Sequence, residues 1–219
     1  MEKRKSSDEP EPRWQAVLAL LAVGGIYLAL PSWLNFRPVW ALPTIVVVLL
    51  IPAVVTHRTR RYRVNHILGI VINSVITLAL VGSLFLLVGG LALQKEKGMA
   101  LLISGAELWV SNVLTFALWY WRLDGGGPNE RRKRAQFGSH SFVFPQMQTE
   151  KTERKIFGIS DDWAPDFIDY LFIAMMQSAT FGPTDSPVLT RWAKVVTMVQ
   201  VLISLTIVVL LISHAVGAI

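Results

Sequence analysis

Apolar residues in this chain fall in long unbroken blocks, and the charges gather in short runs between them. The blocks cover residues 14–30, 39–55 (with Pro43 and Pro52 inside), 67–93, 99–121 and 195–219. A stretch of about 20 apolar residues is what a helix needs to cross a bilayer. Only helices and closed barrels satisfy their backbone in lipid, and a barrel would show short alternating strands instead. The pattern therefore predicts an all-α, polytopic membrane helix bundle. The third block exceeds the crossing length, so it must tilt or protrude. The first has a basic N-terminal flank like a signal peptide, but its apolar core is too long and no A-x-A site follows.

A further segment, FIDYLFIAMMQSATF (167–181), has fifteen residues and contains Asp169 and Gln177. Pro165 and the acidic residues Asp166 and Asp169 mark a helix start. This fifth segment is either a short transmembrane helix or a re-entrant half-helix. Counting it as spanning gives about six helices with both ends inside. The chain then divides into a disordered cytoplasmic tail (1–13), a four-helix transmembrane region (14–121), a basic cytoplasmic loop (122–165) and a C-terminal transmembrane hairpin (166–219).

Composition agrees with this picture. Of 219 residues, 53% are hydrophobic and 16% charged, against about 25% charged in soluble chains. The mean hydropathy is +0.47. The absence of cysteine excludes disulfide frameworks and thiolate metal sites. The net charge of +6 is unevenly distributed. The tail, the 58–63 run and the 122–165 loop hold 16 of the 21 basic residues; Arg37, Lys95, Lys97, Arg191 and Lys194 make up the rest. The positive-inside rule places the N-terminus and the large loop in the cytoplasm. Arg58–Arg63 and Arg131–Arg134 flank membrane helices, so anionic lipid headgroups, rather than nucleic acid, are their expected partners. Six tryptophans, Trp14, Trp33, Trp40, Trp119, Trp121 and Trp192, fall at predicted helix ends, where interfacial belts form.

Candidate chemistry is sparse. Glu107 is the acidic residue enclosed by an apolar block, and Ser104, Glu107, Ser111 and Thr115 share one face of the fourth helix. An intramembrane carboxyl points to an ion or proton pathway or to a hydrogen bond with a neighbouring helix. Asn73 and Thr77 form a second polar stripe. Thr197, Gln200 and Ser204, extended toward His214, form a third. Such stripes converge on a hydrated cavity or serve as interhelical glue. The acidic series Asp162, Asp166 and Asp169 binds a cation or merely begins a helix. The glycines in RLDGGGP lack the lysine and helix of a phosphate loop and are expected to end the fourth helix and loosen the chain. No nucleophile triad or nucleotide fingerprint is visible, so the expectation is a non-enzyme without cofactor or metal.

Two stretches carry a resemblance. DYLFIAMMQSATFGPTDSP, followed by Arg191-Trp192-Ala193-Lys194 and the last apolar block, resembles uncharacterised bacterial multi-pass inner-membrane proteins, as does LWVSNVLTFALWYWRLDGGGP (108–128). That resemblance implies an inner-membrane protein without an assigned activity. The C-terminal stretch is also weakly similar to the pore helix, filter and inner helix of potassium channels. Thr180, Gly182 and Asp185 match the Thr-x-Gly-x-x-Asp frame, while Pro183 and Thr184 replace the aromatic residue and second glycine of a filter. These features lead to the expectation of an ion-conducting or small-solute membrane protein, with homo-oligomerisation possible. The alternative is a non-transporting structural or interaction protein that uses its basic loop.

Overall fold

A computed structural model of the chain describes residues 14–59, 61–92, 99–133, 140–160, 163–181 and 184–217. The N-terminal tail and Gly182 of the filter-like turn lie outside the described residues. The apolar blocks form the long helices α1 (Trp14–Ala29), α2 (Ala41–Arg58), α3 (Tyr62–Ala92) and α4 (Met99–Leu123). A 3-10 turn (Asp124–Gly126) and three short helices follow: α5 (Pro128–Lys133), α6 (Pro145–Gln148) and α7 (Lys151–Ile156). The chain ends with α8 (Phe167–Thr180) and α9 (Arg191–Gly217). Among the described residues, four helices, over Ala41–Arg58, Tyr62–Gly90, Met99–Gly126 and Arg191–His214, are long and apolar enough to cross a membrane. Pro43 sits in the first turn of α2, where its missing N–H has no intrahelical role. The 31 residues of α3 extend about 46 Å, beyond the bilayer core as expected.

The outer surface is apolar. Leu78, Phe85, Val48, Ile51, Leu202 and Ile212 all stand exposed. Polar groups turn inward instead, including Asn73, Asn112, Gln200 and Ser204. Helix α4 is the central post, touching α1, α3, α8 and α9. Its buried surface includes Leu101, Leu108, Phe116, Tyr120 and Trp121. Helix α3 runs antiparallel to α4, its first turns meeting the last turn of α4: the Arg122 guanidinium donates to the carbonyl of Asn65 and lies against the backbone of Gly69. A β-carbon on Gly69 would fall 2.1 Å from the Arg122 Cζ, so a larger residue there would displace the guanidinium.

The direction of α8 differs from the expected hairpin. Its first residues lie beside the C-terminal end of α4: Phe167 packs edge-on against Trp121 and Tyr170 donates to Asp124. Ser178, two turns on, meets Asn112 in the middle of α4. Helix α9 also starts at the C-terminal end of α4, with Trp192 against Phe142, and passes Asn112 at Gln200, Trp109 at Ser204 and Gly105 at Leu211. Helices α8 and α9 are therefore parallel to each other and antiparallel to α4. Two successive crossings would be antiparallel. The intervening chain returns to its starting level, where Leu189 donates to Ser141 and Val143 donates to Pro187 around a Phe142–Val188 bridge.

Candidate functional site

Two buried polar clusters hold α8 in this position. The first is built by the RLDGGGP sequence at the end of α4. Gly125, Gly126 and Gly127 have φ values of 59°, 80° and 87°, a left-handed region that side chains disfavour. Three such residues fold the chain back, so that Arg131 enters beneath α4 and donates to the carbonyls of Trp121 (3.0 Å) and Asp124 (3.3 Å). A cation at the carbonyl end of a helix satisfies its last acceptors. Arg131 also lies over the Tyr170 ring at 4.7 Å. The glycine run thus tightens the chain rather than loosening it.

Asp124 is fully buried. Its carboxylate accepts from the Ser141 backbone N–H and, at 2.7 Å, from the Tyr170 hydroxyl, and it lies 3.1 Å from His140 Nδ1. Three segments distant in sequence therefore meet on one side chain. Aromatic rings close the space around it: Phe142 packs on Tyr120, Tyr170 and Trp192, and Phe144 on Tyr170 and Trp163. Trp121 belongs to this core rather than to an interfacial belt, whereas Trp14 and Trp40 are exposed.

The second cluster lies deeper. Asn112 precedes Arg122 by ten residues, about 15 Å along α4, which is half the ~30 Å hydrocarbon core. There the Gln200 amide donates to the Ala174 carbonyl (2.7 Å) and the Ser178 hydroxyl (2.8 Å), and its oxygen accepts from Tyr120. Ser204 donates to the Ser178 carbonyl and accepts from the Trp109 indole, both at 2.8 Å. Asn112 reaches the Gln200 carbonyl at 3.3 Å. Gln200 and Ser204, expected to line a path, are thus engaged between helices.

The other expected residues are dispersed. Thr77 donates to the Asn73 carbonyl and accepts from Trp119, so this stripe joins α3 to α4. Ser104 and Ser111 are buried in α4. Glu107 is only half-buried, flanked by buried Leu108 and exposed Ile103 and Val110. One of its carboxylate oxygens is nonetheless buried, with no hydrogen-bond partner among the described residues. In the filter-like turn, Thr180 hydrogen-bonds back to Met176 of its own helix, and Asp185 is exposed. Asp166 and Asp169 form a reciprocal capping box at the start of α8; Asp162 lies outside the described residues. His214 lies near the end of α9, beyond the cluster.

Sequence reasoning missed Asp124, Arg131, Tyr170 and Ser178. A signal for Asp124 was present: an acid at a helix C-terminus is disfavoured by the helix dipole and needs partners. Asn112, an amide within an apolar block, was equally visible. Comparisons with protein-family models, curated proteins and solved structures find no match for the chain. Fold and site together define an all-α protein of multi-pass membrane character, with its polar groups turned inward.

Proposed function

We propose that this chain is an integral plasma-membrane protein in which α8 and the segment after it form a re-entrant element of an ion- or small-solute-conducting path. The parallel course of α8 and α9 carries this reading. At 14 residues, α8 extends about 21 Å, short of a crossing, and the chain returns to the level of Ser141 before α9 begins. Irregular backbone at membrane depth is tolerated only where protein covers it or it lines a water-filled cavity. The return segment includes exposed Asp185. The carbonyl end of α8 approaches the midplane with a partial negative charge, which favours a cation.

The topology that accompanies this reading has α1, α2, α3, α4 and α9 as crossings, with a cytoplasmic N-terminus and an external C-terminus, in place of six crossings with both ends inside. It also moves Arg191 and Lys194 to the cytoplasmic side, leaving Arg37, Lys95 and Lys97 outside, a stronger positive-inside bias. A second copy of the chain covers the half-exposed Glu107, which a lipid-facing surface does not tolerate well.

A periplasm-active reporter fused to the C-terminus is expected to be active; activity only of a cytoplasmic reporter would sink the re-entrant course. In proteoliposomes, Asp185→Asn is expected to change cation flux several-fold at unaltered thermal stability. A second reading, a non-transporting structural protein, draws on the mutual engagement of Gln200, Ser178, Ser204 and Tyr120. Wild-type flux no greater than that of empty vesicles would select it.

A further inference from the structure

The end of the bundle that holds Arg122 also carries a cavity of about 240 Å³ between the first turns of α3 and the turn leading into α5. Arg63, His66, Arg122 and Glu130 contribute its ionisable lining, beside Tyr62 and Asn65. Arg122 is nearly buried, fixed by Asn65 and by the close approach of Gly69. Arg63 is exposed. Its glycine wall is also constrained. Gly126 has a positive φ, and a β-carbon on the adjoining Gly127 would meet the Arg122 carbonyl oxygen at 2.8 Å. Two guanidinium groups against one carboxylate leave the cavity net positive with His66 neutral, and guanidinium forks match phosphate oxygens.

We propose that this cavity binds the phosphate-bearing headgroup of an anionic phospholipid from the cytoplasmic leaflet. Its volume is below the 300–1,000 Å³ typical of sites for drug-sized ligands, which suits a headgroup and not a whole lipid. An apolar track continues from it. Arg63 stands at the edge of the cavity, and Ile67 and Ile70, one and two turns further on, continue along its side of α3, Ile67 being 55% exposed and Ile70 partly so. That strip suits the acyl chains and favours a lipid over free phosphate. Basic pockets between membrane helices on the cytoplasmic side recognise lipid phosphates by this chemistry. The proposal rests on the membrane reading and is independent of conduction.

The test uses the full-length protein in neutral detergent, with lipid retention followed by native mass spectrometry and thermal unfolding. Phosphatidylglycerol is expected to bind and raise the unfolding temperature, while phosphatidylcholine and inorganic phosphate at equal concentration do not. Arg63→Gln is expected to weaken phosphatidylglycerol binding about tenfold, the scale of one charge-assisted hydrogen bond. Arg61→Gln, on an exposed residue that does not line the cavity, is expected to leave it unchanged. Equal losses in both variants would reduce the effect to diffuse basic charge and overturn the proposal. Equal protection by inorganic phosphate, lost in Arg63→Gln, would make the cavity a free-anion site and overturn it as well. An unaffected Arg63→Gln protein that still partitions into bilayers would sink the lipid site alone. Recovery of the protein from the soluble fraction would sink the membrane reading with it.

Discussion

The cluster around Asp124 and the cluster around Gln200 both fasten α8 to the bundle, with different chemistry. At the end of α4 the protein buries a carboxylate and a guanidinium: Asp124 with Tyr170, Ser141 and His140, and Arg131 with the α4 carbonyls. About 15 Å deeper, the connections are neutral amides and hydroxyls: Gln200, Ser178, Ser204 and Asn112. Desolvating a charge costs several kcal/mol even after relaxation, so charges concentrate where helix ends and loops supply several partners each. In the middle of the span a neutral hydrogen bond adds a modest gain without that cost. The outer cluster sets where α8 begins, and the inner one how far along α4 and α9 it lies.

This contrast predicts a ranking of substitutions. Asp124→Ala should have the largest effect, roughly 3–5 kcal/mol, because it strips a buried network of its shared acceptor. Asp124→Asn should cost less, since an amide oxygen still accepts from Ser141 or Tyr170. Thermal unfolding in detergent, followed by tryptophan fluorescence, measures both. A loss below about 1 kcal/mol for Asp124→Ala would show that the rings around Phe142 hold this end without the carboxylate.

Next comes Gln200→Leu, at about 1–3 kcal/mol, since Ala174 and Tyr120 lose their buried partner. Combined with Ser178→Ala, its effect should be less than additive, because the two side chains share a hydrogen bond. Additive losses would divide the deep cluster into independent contacts. The smallest effect belongs to Ser204→Ala, about 0.6 kcal/mol and at most ~1.7, the range measured for single polar contacts between membrane helices. If it equalled Asp124→Ala, the distinction between charged edge and neutral interior would fail.

Particular residues show how far the sequence could be read. The long apolar blocks became helices close to their expected bounds: residues 99–121 became Met99–Leu123, and 195–219 became Arg191–Gly217. Helix spacing grouped Thr197, Gln200 and Ser204 correctly, and all three face α4 or α8. It did not show that Ser178, on a different helix, would consume their hydrogen-bonding capacity. Glu107 was grouped on one helix face with Ser104 and Ser111, which are buried, yet it is half-exposed, beside Ile103 and Val110, which point outward. In the RRKR run, Arg131 was expected to meet anionic lipid headgroups and instead lies buried beneath α4. Only the fold-back at residues 125–127 accounts for its position.

The division follows from the range of the forces involved. Hydropathy and helix propensity act within a turn or two, so the sequence alone determined that the chain is helical, where the apolar helices lie and which residues share a helix face. The course of α8 depends on pairs far apart in sequence, Tyr170 with Asp124 and Ser178 with Asn112. No local periodicity encodes whether a 14-residue helix runs parallel or antiparallel to the long helix that follows it. Tertiary structure alone decided that, by giving its buried polar groups partners on α4 and α9 in the parallel arrangement.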